Sequence, residues 1–134
     1  MMSNRDQFIN AFRGETLGEI NSQTSDEELF QNQSLRPILK LQNDLYIEIF
    51  KFYIIKNKLP FGEFSIDKKL IYIEKTILND NKFRNLLIGI TIGVFKIEEY
   101  KSYKKNASAL NRRIITMLIE RLKSQVQLID GPGN

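Results

Sequence analysis

The run KFRNLLIGITIGVF, Lys82 to Phe95, decides the fold class. Its β-branched residues suit a buried strand, yet Phe83, Leu87, Ile90 and Val94 also fall on one face of a helix. A strand here would be the only one in the chain, with no ladder partner for its backbone N–H and C=O groups. The run therefore reads as a helix that starts at Asp80 or Asn81. The chain reads as all-α: a small helical bundle of four to five helices with a mobile acidic N-terminal arm.

The apolar core of that run, Leu86 to Phe95, is about half of the ~20 residues that a spanning helix needs. No membrane span is expected. The opening MMSNRDQFINAF has neither the apolar core nor the small-residue cleavage site of a secretory leader. The protein reads as soluble and cytoplasmic.

C-terminal to the run, KIEEYKSYKK reads as a short helix, NAS as a turn and ALNRRIITMLIERLKSQVQL as a long final helix. Leu110, Ile114, Leu118, Leu122 and Val126 form the core stripe of that helix. Gly131 and Pro132 end it, and 130–134 is expected as a flexible tail.

N-terminal to the run, Ser65 caps IDKKLIYIEKTIL, whose stripe is Ile66, Leu70, Ile73 and Ile77. KLPFGEFS is a loop punctuated by Pro60 and Gly62. Before it, a helix is expected to begin at the Arg36–Pro37 boundary, because proline's fixed φ suits a first turn. It should continue to about Asn57. Lys40, Asp44, Glu48 and Lys51 lie on its charged stripe, with Ile38, Leu45, Ile49, Phe52 and Tyr53 opposite. Nine of the eleven residues from Leu45 to Ile55 are apolar, so more than one face should be covered, by a central position in the bundle or by a second subunit. SDEELFQNQS is a further short helix capped by Ser25. Residues 1–24, interrupted by Gly14 and Gly18, are expected as a largely irregular arm with at most one short helix. The length suits one helical domain over 25–129.

Composition excludes much chemistry. There is no cysteine, so disulfides, thiolate nucleophiles and thiolate metal sites are absent. There is no histidine, the commonest general acid/base and metal ligand. No catalytic residue, metal site or cofactor is expected. The net charge of +4 is unevenly placed. Residues 1–34 hold two basic and six acidic side chains, a net −4, whereas Lys96–Lys123 holds eight basic against three acidic, a net +5. The basic half could face an acidic partner or simply solvent.

Several residues stand out. Gln42 projects into the apolar face of its helix. A buried amide must be hydrogen-bonded, either to a ligand or interface or to a neighbouring helix end. Gln42, Tyr46, Ile47, Phe50 and Ile54 are the candidate partner-binding set. Asp44 and Glu48, one turn apart, could hold a hard cation, but Lys40 and Lys51 beside them favour exposed charge pairs. Gly89 and Gly93 would form a packing notch for a crossing helix. EEYKSYKKNASALNRR has a helix-turn-helix outline, with Tyr100 and Tyr103 interleaved among lysines. Lys101, Lys104, Lys105, Ser108, Asn111, Arg112 and Arg113 are its candidate nucleic-acid contacts, set against a plain helical hairpin with a basic surface.

FQN at Phe30–Asn32, LRPILKLQNDL at Leu35–Leu45, KFRN at Lys82–Asn85, EEY at Glu98–Tyr100, SALN at Ser108–Asn111 and ERL at Glu120–Leu122 carry a resemblance. Over about three-quarters of its length the chain resembles a family of short, uncharacterised bacterial helical proteins often labelled glyoxalase. The label implies a glyoxalase-like enzyme. Such an enzyme holds a divalent metal through histidines and glutamates, so no site residue is carried over to this histidine-free sequence. Three functions follow as expectations: a non-enzymatic helical binding or adaptor protein that meets a protein partner or itself, a nucleic-acid-associated protein using the 96–123 hairpin, or the enzyme of the label.

Overall fold

The computed structural model describes residues 3–13 and 25–129, and every regular element among them is helical. In chain order these are α1 (Asn4–Arg13), α2 (Asp26–Phe30), α3 (Arg36–Leu41), α4 (Asn43–Lys56), α5 (Ile66–Asn79), α6 (Asn81–Ile92), α7 (Ile97–Lys104), α8 (Ala107–Ser124) and α9 (Val126–Ile129). The all-α expectation holds, and the decisive run is helical as α6. Asp80 starts it, its Oδ1 accepting the Phe83 N–H at 3.1 Å. Residues 14–24, with Gly14 and Gly18, and the tail 130–134, with Gly131 and Pro132, lie outside the described residues.

The helices are more numerous than the four to five expected: short helices such as α1, α2 and α7 stand beside the long ones, and two expected helices are each divided once. The one predicted from Pro37 to Asn57 breaks at Gln42, whose φ of −91° and ψ of 3° leave the helical region before α4 begins. The final helix breaks at Gln125, where an N–H to Leu122 bond of 3.2 Å tightens the turn between α8 and α9. Pro37 lies in the first turn of α3 as expected, but the chain is already helical ahead of it. The chain is helical from Asp26 to Leu41, with a π-helical turn at Gln31–Leu35 just ahead of the proline, where Arg36 N–H donates to Gln31 O. Proline lacks the N–H of a regular ladder, and the wider turn beside it absorbs the mismatch.

The chain forms two compact units. The first comprises Met1–Gln42 and Ile88–Ile114. Leu35, Ile38, Leu39, Phe95, Tyr103, Leu110 and Ile114 are buried in it. Phe95 meets Phe30 and Tyr103 edge-on, each with ring centroids 5.6 Å apart. The N-terminal arm contributes a ten-residue helix, α1, which packs on α3 and is fastened at both ends. Near its start, buried Asp6 accepts the Ile97 N–H at 3.1 and 3.2 Å and so caps α7 from another helix, while Arg5 donates to the carbonyls of Phe95 (2.6 Å) and Gly93 (3.0 Å). At its end, Arg13 forms a two-pronged ion pair with Glu99, one prong at 2.8 Å, with the two side chains only 5% and 12% exposed. Burial works against the ionised Glu99. Hydrogen bonds from Arg13, Ser34 and the Lys96 N–H nevertheless hold its carboxyl below the usual range.

The second unit comprises Asn43–Leu87 and Ile115–Asn134. Phe50 lies at its centre, edge-on to Phe61 (6.4 Å), Tyr72 (6.3 Å) and Phe83 (5.8 Å). Leu118 and Leu122 of α8 are buried as the stripe predicts, and α9 packs against α4. Asn43 ties the start of α4 to the α8–α9 break. It exchanges two 2.7 Å hydrogen bonds with the Gln125 amide and accepts from Arg121 at 3.1 Å. The other end of α4 closes with Leu59 N–H on Ile54 O and Lys58 N–H on Ile55 O, a Schellman motif. Lys58 occupies its left-handed position at φ 54°, where glycine would be unstrained.

Candidate functional site

The candidate partner-binding residues divide sharply. Tyr46, Ile47, Phe50 and Ile54 are buried within the chain, so they are core rather than docking surface. Because α4 restarts at Asn43, its apolar residues are distributed over both sides. Leu45, Phe52 and Ile55, with Leu45 and Phe52 expected on the core stripe, are instead 46%, 64% and 52% exposed. They share the outer face of α4, with Ile49 half-buried at its edge.

Gln42 is half-buried, and its amide donates to Ile90 O at 3.4 Å. That carbonyl is among the last four of α6, which have no partner inside their own helix. The neighbouring helix end thus satisfies the amide. Glu48 pairs with Lys51 at 3.6 Å, Asp44 is exposed, and among the described residues no three potential ligands gather for a metal. Gly89 makes no notch: a Cβ there would meet nothing within 4 Å, since the residue faces outward.

The basic α7–turn–α8 segment exists, with its turn at Lys105–Asn106, but several of its proposed contacts are already engaged. Asn111 accepts from the Tyr103 hydroxyl at 2.6 Å, and Arg113 donates to Gln31 and, at 3.3 Å, to Glu27. Tyr103 is buried and does not interleave with the lysines, because helical phase turns it inward from Tyr100. Lys101 pairs with Glu98 at 3.3 Å. Lys104, Lys105, Ser108 and Arg112 are exposed.

The sequence did not single out the groove of about 850 Å³ in the second unit, lined by Tyr53, Phe64, Tyr72, Lys68, Lys75 and Lys82 among others. The lysines recur every seven residues, which places two on one face of α5 and the third in the first turn of α6. Lys68 lies over the Phe64 ring at 4.2 Å. Tyr53 donates its hydroxyl to Asp80 at 2.7 Å. Burial, aided by that hydrogen bond, pushes the Tyr53 hydroxyl up to about 12. The same bond and the Phe83 N–H hold the Asp80 carboxyl below its usual range. Tyr53 is thus a neutral donor at physiological pH and Asp80 an anion with both oxygens engaged.

No family of known proteins, curated protein or solved structure matches the chain. No helix among the described residues is long and apolar enough to cross a membrane.

Proposed function

We propose that this chain is a binding protein that acts by helix-face contact, and that the face it uses is the outer side of α4, paired with a second copy of itself. One observation carries the reading: a single helix buries Tyr46, Ile47, Phe50 and Ile54 on one side and exposes Leu45, Phe52 and Ile55 on the other. An isolated exposed apolar side chain is ordinary, whereas a stripe of them on one helix marks an interaction surface. The charges along the stripe favour a like partner. Glu48 and Lys56 lie four residues either side of Phe52. An antiparallel pair of α4 helices centred on Phe52 sets each Glu48 level with the other copy's Lys56, as an isologous contact requires.

The absence of cysteine allows a direct test. A Phe52→Cys variant should oxidise to a disulfide-linked dimer at micromolar concentration, while Lys40→Cys, on the exposed side of α3, should not. Equal cross-linking of both, or of neither, contradicts the pairing.

A further inference from the structure

We infer that the groove between α5 and the start of α6 is a binding site for a small planar aromatic anion. Its volume of about 850 Å³ falls within the range of small-molecule sites. Phe64 and Tyr72, inclined at 64° with centroids 6.1 Å apart, and Tyr53 offer rings for edge-on and offset stacking. A flat ring matches that surface better than a flexible alkyl chain, which gains no such geometry.

The charges select the sign of the ligand. Three lysines and a single aspartate line the groove, a net +2. That aspartate is consumed internally by Tyr53 and the Phe83 N–H. The ion pairs described for this unit engage Lys51 and Lys123, and none engages Lys68, Lys75 or Lys82. An anionic group, carboxylate or phosphate, would therefore meet Lys68 and Lys75, with Lys82, which also acts electrostatically on Asp80, completing a net positive rim at the edge of an apolar floor that raises local field strength. Thr76 and Tyr72, which share a hydrogen bond, supply hydroxyls within the groove. Tyr53 stays protonated well above physiological pH, so it adds no negative charge to repel the ligand.

The test is an amide NMR titration of the full chain at low salt with 1-naphthyl phosphate, 1-naphthol, octyl phosphate and inorganic phosphate. The site predicts saturable shifts for 1-naphthyl phosphate concentrated in residues 64–82, and clearly weaker binding of the other three. Lys75→Gln with Lys82→Gln, both at exposed positions, should weaken 1-naphthyl phosphate about tenfold and leave the free spectrum dispersed. Equal binding of 1-naphthol removes the anion requirement, and equal binding of octyl phosphate removes the aromatic one. Shifts centred outside the groove, or an unweakened double variant, overturn the assignment.

Discussion

The two units are held by different means. The first relies on charged side chains that reach across the sequence: Asp6 caps a helix some ninety residues later, and Arg13 finds Glu99. The second is organised around Phe50 and the rings about it, with polar links from Tyr53 to Asp80 and from Asn43 to Gln125 and Arg121 at its margins. Most of what burying those rings contributes is hydrophobic, which is non-directional and tolerates small displacements, whereas a buried ion pair stabilises only when both partners are present and well placed. The first unit should therefore respond strongly to single charge deletions, and the second to loss of volume.

The largest effect is expected in the second unit. Phe50→Ala leaves a cavity at the meeting point of Tyr53, Phe61, Tyr72 and Phe83 and should cost about 3–5 kcal/mol in urea unfolding, with little dependence on pH. A cost below about 1 kcal/mol would mean that the rings are not the organising core. In the first unit, Arg13→Met strands a buried carboxylate and should cost about 3 kcal/mol, part of it returned by adding Glu99→Gln, which removes the charge and keeps an acceptor for the Lys96 N–H. A double variant as unstable as the single one would show that the stranded charge is not the source of the cost.

The pH limbs sharpen the contrast. The folded pKa of Glu99 lies below its ordinary value, so its contribution is complete above the unfolded pKa and is lost as pH falls through the folded one. Tyr53 is raised from 10.0 to about 12, so its contribution is complete below 10.0 and is lost as pH rises toward about 12. Glu99→Gln should flatten part of the acid limb of a stability–pH curve, the remainder including Asp80, and Tyr53→Phe should flatten part of the alkaline limb, the remainder including Tyr72. Variants that leave both limbs unchanged would separate these groups from the pH response. The smallest effect has the opposite sign. Lys58→Gly, at a left-handed position, should stabilise α4's C-terminus by about 1 kcal/mol, and any destabilisation would point to a contact made by the lysine.

The apolar periodicities made much of the architecture legible. α6 is a helix although its residues also suit a strand, and the buried Leu110, Ile114, Leu118 and Leu122 follow the stripe read from spacing alone. Helix breaks were harder to see. Gln42 carries no glycine or proline to announce its turn, and once α4 restarts at Asn43 its helical phase sends Leu45 and Phe52 outward. Pro37 does mark the start of α3, but nothing in the sequence announces the π turn that keeps the chain helical ahead of it. The lysine groove was hidden because its rings and charges come from α4, α5, α6 and the loop at Phe64, none with a local motif. The triplet Gln42–Asn43–Asp44 resolves residue by residue: an amide on the end of α6, an amide on the α8–α9 break, and a carboxylate in solvent.

Pairing of two copies of the chain through the outer face of α4 would double its mass in solution. Light scattering coupled to size separation, at several protein concentrations, tests it most directly. The chain mass is 15.7 kDa; the account predicts a rise toward twice that value for the unaltered protein and a concentration-independent 15.7 kDa for Phe52→Glu. A mass of 15.7 kDa for both at every concentration, with the unaltered protein fully soluble, would contradict it.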